Sequence, residues 1–232
     1  MENRVFLACP TYGQIERETA ISIFSGSQTA QILIRANGAS LLALNCNLLW
    51  CEALNGRETE KWTHFAMHHS DIAAENFWLD KLVVEQKRVG ADVLSVVVPI
   101  KDEKGLSSTG LLDAQGCVTR FSMSEIHKLP ETFSAESLGE KRTLVVNTGL
   151  FICDFTNPWV EKVFFEIRDN IVKNENGKFE ARNLSEDWGF SNQCAKLGVK
   201  VFATRCVKLR HFGRAEYRND EVWGNPTDPG GL

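Results

Sequence analysis

The feature that most constrains this chain is an alternation: short apolar runs, each stopped by Pro, Gly or a polar cluster, separated by stretches of helical length. The first run, R-V-F-L-A-C-P-T-Y-G, has strand length and ends at Pro10, whose missing N–H breaks a ladder. Residues 17–27 read as a helix, and 30–34 as a second strand closed by a turn at Asn37-Gly38. The stretch S-L-L-A-L-N-C-N-L-L-W-C-E-A-L, almost uncharged and with Ser40 placed as its cap, predicts a helix buried on most sides and ended by Asn55-Gly56. A strand over 63–67 stops at two histidines, a serine and an aspartate. A helix carrying Phe77, Leu82 and Val83 then ends at Gly90, before V-L-S-V-V-V-P-I, which reads as a strand central to a sheet. This order predicts an α/β fold, with a mostly parallel central sheet flanked by helices.

The texture changes at 101–142, where G-L-S-S-T-G and D-A-Q-G mark turns around short β-like pieces, so a small β-rich insertion with a hairpin is expected. The apolar run T-L-V-V-N-T-G-L-F-I-C-D-F precedes an expected helix over 158–172, with Pro158 in its first turn. S-E-D-W-G-F-S-N-Q-C-A-K-L-G predicts a helix capped by Ser185, with acids in its first turn and Gly198 as its stop, and V-K-V-F-A-T follows as a strand. Residues 1–218 read as one domain. The segment 219–232, with Pro226, Pro229 and Gly230-Gly231, is expected to be poorly ordered.

Composition narrows the function classes. Lys and Arg number 26 against 30 Asp and Glu, a net charge of -4, so the surface as a whole is no trap for nucleic acid or anionic lipid. No run approaches the roughly 18 apolar residues of a membrane span, which leaves the cytoplasm as the expected compartment. The seven cysteines include no C-x-x-C pair and read as mostly reduced, buried small hydrophobes. G-x-S-x-G, H-E-x-x-H, a P-loop and a G-x-G-x-x-G after the first strand are all missing, which weighs against serine hydrolases, zinc proteases, P-loop kinases and dinucleotide oxidoreductases.

In a mostly parallel sheet, ligands sit at the carboxyl ends of the strands, so polar groups just after apolar runs are the candidates. Thr11 and Tyr12 follow the first strand, where a tyrosine ring can stack on a base or simply pack at the sheet edge. His69 and Asp71 follow the third; two apart in extended chain, they point the same way and could share a divalent ion, unless Asp71 only caps a helix. Glu186-Asp187 open a helix, where carboxylates also complement the dipole in any protein. His211 lies in a stretch, 200–218, that holds six Lys or Arg against one acid and can meet phosphate oxygens or stand as a solvated basic face.

Taken in order, V-F-L-A-C-P-T-Y-G, H-S-D-I, N-T-G-L-F-I, S-E-D-W-G-F and L-R-H-F-G make the chain from about Val5 to Tyr217 resemble a GT-A type glycosyltransferase, particularly small bacterial and phage members. The resemblance implies a single GT-A-like, Rossmann-like domain that moves a sugar from a UDP- or GDP-linked donor. It implies donor contacts at Pro10, Thr11, Tyr12, Asn37, Ser70, Asn147 and Arg214, and acceptor contacts at Trp188, Thr148 and Gly149. The divalent cation would be held by Asp71, His69 and His211, and the base would be Asp187 or Glu186. His69 stands where the family has its first Asp, an exchange that favours Mn over Mg. Leu44 and Cys46 stand where the small members have arginines.

The chemistry is coherent with that resemblance: a cation offsets charge on the departing diphosphate, and a carboxylate takes the acceptor proton. Attack assisted by Asp187 inverts the anomeric centre, whereas Asn147, in an N-x-G segment like that of retaining members, supports the opposite outcome. The insertion is the expected acceptor region, and the acceptor is left open; a nucleic-acid acceptor is disfavoured by the negative net charge. A noncatalytic nucleotide- or glycan-binding module and a sugar nucleotidyltransferase are the alternatives on the same scaffold.

Overall fold

The computed structural model describes residues 3–213 and 215–224. In chain order its elements are β1 (Arg4–Thr11), α1 (Arg17–Phe24), β2 (Gln31–Gly38), α2 (Leu42–Glu60), β3 (His64–His68), β4 (Ile72–Ala74), α3 (Trp78–Val89) and β5 (Val93–Val96). Then come β6 (Leu106–Leu112), β7 (Val118–Ser122), α4 (Met123–Ile126), β8 (Thr132–Phe133), β9 (Thr143–Val145) and β10 (Leu150–Asp154). The chain continues through β11 (Arg168–Lys173), β12 (Phe179–Leu184), α5 (Glu186–Lys196), β13 (Val201–Thr204), β14 (Leu209–Phe212) and β15 (Glu216–Arg218).

The central sheet has the order β2-β1-β3-β10-β5-β13-β8. β2, β1, β3, β5 and β13 run parallel, and β10 and β8 oppose them. Its inner strands β1, β3, β10 and β5 are mostly buried because both faces are covered, whereas β2 at the border is largely exposed. Along β1, Phe6 and Ala8 join Trp50, Phe65, Phe151 and Phe190 under α2 and α5, while Val5, Leu7 and Cys9 join Trp78, Leu79, Leu82 and Leu94 under α3. Three small antiparallel sheets surround it: β7-β6-β9, β15-β14-β4 and the β11-β12 ribbon.

Several local expectations give way to packing. Asn37-Gly38 is no turn: β2 runs through it, pairing Asn37 with Pro10 and Gly38 with Thr11. α2 starts after Leu41 rather than at a Ser40 cap, passes straight through Asn55-Gly56 and stops at Lys61 in a left-handed conformation. Gly56 serves packing, since a Cβ there would stand 3.0 Å from the Trp62 indole nitrogen. Nor is α2 buried on most sides, because Leu44 and Leu48 are about half exposed.

The expected helix over 158–172 is a 3₁₀ turn, Pro158–Lys162, followed by extended chain and then β11. The reason lies far off in sequence: the Asn47 side chain accepts from the Phe165 N–H (2.8 Å) and donates to its carbonyl (2.7 Å), and Phe165 itself enters the core. A side-chain amide thereby takes both backbone groups that a helix would have used.

The insertion is more regular than expected, for it forms the β6-β7 hairpin, a short α4 with a Ser122–Glu125 capping box, and β8, which borders the central sheet. Within the segment expected to be poorly ordered, Asn219 is anchored while Glu221, Val222 and Gly224 are exposed. Asn219 is buried, accepts from the Leu209 N–H and donates to the Val97 and Val207 carbonyls. Residues 225–232 lie outside the described residues. Among the described residues, no helix is long and apolar enough to cross a membrane.

Candidate active site

The carboxyl ends of β1, β3 and β5 meet one edge of the central sheet, and the candidate groups gather there. At the end of β1 the Thr11 hydroxyl donates to the Gln14 carbonyl (2.6 Å) and accepts from the Gly13 N–H, shaping a turn that leaves Tyr12 69% exposed, its ring face open. Burial of the phenol, with the charges of Glu186 and Asp71 behind it, raises the Tyr12 pKa, so both carboxylates act on this one residue.

After β3 the chain turns: the Ile72 N–H donates to the His69 carbonyl (3.3 Å), and β4 follows, so Asp71 caps no helix. His69 and Asp71 are therefore not side by side on extended chain. His69 is half-buried, its Nε2 is enclosed with no hydrogen-bond partner among the described residues, and burial drives its pKa down to about 4. His68, fully buried, is structural; its Nδ1–H donates to the His69 carbonyl and its Nε2 accepts from the Ser22 hydroxyl (3.0 Å). The Ser70 carbonyl accepts from the Glu16 N–H.

Asp71 has two nitrogen-bearing neighbours. Lys101 Nζ lies 2.5 Å from its Oδ2, and His211 Nε2 lies 3.5 Å from the same oxygen. His211 is held by its other nitrogen, which donates to the Pro99 carbonyl (2.8 Å), and the Phe212 N–H donates to the Asp71 carbonyl. Burial would raise the Asp71 pKa, but the hydrogen bonds and charges of His211 and Lys101 outweigh it and hold the carboxyl well below the usual carboxylate range.

Asp187 is buried in the first turn of α5. Its Oδ1 accepts from the Ser185 hydroxyl and the Trp188 N–H, and its Oδ2 faces the Asn147 amide at 3.4 Å. Ser185 thus holds a side chain rather than capping the helix backbone. Burial first, and the neighbouring Glu186 second, push the Asp187 pKa up to about 7. Burial also raises the Glu186 pKa, and among the described residues no other side chain hydrogen-bonds it.

Asn147 ties the two sides together: its Oδ1 accepts from the Gly149 N–H (2.5 Å) and its carbonyl from the Ser95 hydroxyl. Thr148 is buried with an unpartnered hydroxyl, and the Gly149 carbonyl accepts from the His69 N–H. The Trp188 indole donates to the Ser108 carbonyl (3.0 Å), and the Arg120 guanidinium stacks over its ring at 4.4 Å, so the insertion packs against the start of α5. Asn37 and Pro10 sit together at the adjoining strand ends, and Arg214 lies outside the described residues. A separate cavity of about 350 Å³ behind β4 and β14, lined by Ser22, Ala74, Arg210 and Arg218, contains none of these reactive groups.

Sequence reasoning missed Lys101 and Arg120. Lys101 had a signal, since it is the first charged residue after the central strand V-L-S-V-V-V-P-I; Arg120, in mid-hairpin, had none.

The chain is similar in structure to A197 from STIV, at 15% identity and TM-score 0.58, over 96% of this chain and 94% of that one. It is also similar to GalNAc-T7, solved with UDP, GalNAc and Mn2+, at 14% identity and TM-score 0.52, over 96% of this chain but only 45% of that longer one. No protein-family model matches the sequence, and no curated protein matches it. The likeness establishes the fold, a mixed α/β arrangement of GT-A-like type with its mostly parallel sheet flanked by helices and small antiparallel sheets.

Proposed function

We propose that this chain is a glycosyltransferase that moves a sugar from a UDP- or GDP-linked donor to an acceptor hydroxyl. One observation carries the reading: Tyr12, the Asp71–His211–Lys101 group and Asp187 converge on a single sheet edge, on a fold shared with a protein solved with UDP and a sugar. In this account the nucleotide base stacks on Tyr12, the diphosphate meets the cationic groups beside Asp71, and the acceptor lies toward Trp188, Thr148 and Gly149, with Arg120 beside it. The C1–oxygen bond to the diphosphate breaks with its electron pair going to the phosphate oxygen, while the acceptor oxygen bonds to C1 and its proton passes to Asp187. A carboxyl raised to about 7 is matched to taking a proton near neutral pH. Attack from the face opposite the leaving group inverts the anomeric centre.

The GalNAc-T7 structure includes Mn2+, and the same resemblance implied a divalent cation for this chain. The residues present do not fit one as they stand. The Lys101 ammonium already sits on Asp71, and among the described residues no three His, Cys, Asp or Glu side chains are arranged to hold an ion. No step above is routed through a metal.

The incomplete ligand set favours one other reading, a module that binds nucleotide sugars without turning them over. Incubation with a panel of UDP- and GDP-sugars, followed by detection of free nucleoside diphosphate, separates the two. Release that is lost in Asp187→Asn supports the transferase; tight binding with no release leaves the module.

A further inference from the structure

We propose that Lys101 is the resident cation of the donor site: its ammonium, held in place by Asp71, meets the leaving diphosphate where a divalent ion would otherwise be required. The inference rests on the glycosyltransferase reading and deepens it.

Three observations place the ammonium deliberately. The first is its backbone anchor. Directly after β5 the chain is latched to the insertion, the Ile100 N–H donating to the Leu106 carbonyl (2.8 Å) and Pro99 bridging to Ser107, so Lys101 leaves a fixed strand end. The second is its path. A Cβ at residue 213 would stand 3.0 Å from Lys101 Cδ and 3.3 Å from its Cβ and Cγ, so the lysine stem crosses the chain at the one residue type that gives it room, Gly213. The third is its destination. Nζ reaches Asp71 Oδ2 at 2.5 Å, yet both side chains remain about one-third exposed, so the pair is open to solvent and can accept an anion on that side.

A surface ion pair elsewhere would deserve little weight, since such pairs contribute ~0–1 kcal/mol of stability. This one stands at the carboxyl end of a central parallel strand, beside His211, where anionic ligands are met in such folds. During transfer the C1–oxygen bond breaks and its electron pair stays on the terminal phosphate oxygen. Lys101 keeps its proton and offsets the new charge electrostatically, while the acceptor proton goes to Asp187. The balance requires no other cation.

The test measures binding of UDP and GDP to the full chain by titration calorimetry, once with excess EDTA and once with Mn. The expected result is affinity equal within about twofold under the two conditions, roughly tenfold or more weaker in Lys101→Met, and largely retained in Lys101→Arg, as for a charge-assisted contact. Gly213→Ala, which keeps the ammonium but crowds its stem, should weaken binding in the same direction and serves if Lys101→Met does not fold. Affinity that rises tenfold or more on replacing EDTA with Mn overturns the inference, and so does a Lys101→Met variant that binds as the wild type does. Failure of both nucleotides to bind under either condition is a different result: it overturns the glycosyltransferase reading itself, and this inference with it.

Discussion

Two carboxylates of the candidate site are driven in opposite directions. Asp71, at the donor side, is one-third exposed and flanked by Lys101 and His211, which keep it ionised; Asp187, on α5, is buried and pushed up to about 7. The contrast teaches that location in the fold, rather than residue type, assigns the work: a permanently charged aspartate positions cations, and a carboxyl near neutrality exchanges protons.

The largest expected effect breaks the comparison at the proton-accepting end. Asp187→Asn should lower the transfer rate by about 10²- to 10⁴-fold, read as release of nucleoside diphosphate. Its companion is a stability measurement. Between pH 3.8 and about 7 the folded chain keeps a proton on Asp187 that the unfolded chain has lost, so this residue's contribution to stability is greatest in acid and declines as pH rises through that window. The unfolding midpoint of the wild type, compared with Asp187→Asn, should therefore fall as pH is raised from 5 to 8.

Gly149→Ala acts on the link between the two sides. The new Cβ would lie 2.6 Å from Asn147 Oδ1 and 2.8 Å from Ile72 Cδ1, so Asn147, which faces Asp187, must shift. A loss of about 1–3 kcal/mol in denaturant unfolding is expected.

Asp71→Asn should cost only about 1 kcal/mol at pH 7 after discounting for solvent screening. With a depressed pKa, the folded carboxylate stays ionised where the unfolded one protonates. The contribution is therefore present above pH 3.8 and lost as pH falls below it, the reverse of Asp187. Parallel pH dependences for the two variants would erase the distinction.

The smallest effect sharpens the choice of base. Glu186→Gln should reduce the rate by under about tenfold, because Glu186 lacks the fixed hydrogen bonds that orient Asp187. A loss equal to that of Asp187→Asn would move the base to Glu186.

Much of this site could be read from residues that end apolar runs. Pro10, Thr11 and Tyr12 terminate β1 and Asp71 follows β3, because a strand buried on both faces must be apolar and its first polar residues emerge at the sheet edge. Asp187 was visible as an acid opening a helix. The region after Pro158 was misread because local propensity carried no trace of Asn47, 118 residues earlier, which claims the backbone of Phe165. The backbone from His69 to Asp71 was misread for a related reason: it was expected to be extended, and the Ile72-to-His69 hydrogen bond bends it.

By itself the sequence determined the alternation of strands and helices, the strand ends where polar groups collect, and the absence of the commoner nucleophile and P-loop motifs, all of which follow from local periodicity and residue type. Only the tertiary structure decided which of those polar groups meet. Lys101 and His211 reach Asp71 from elements 30 and 140 residues away, and the protonation of both aspartates depends on burial and on charges brought near by the fold, quantities that no local stretch of chain contains.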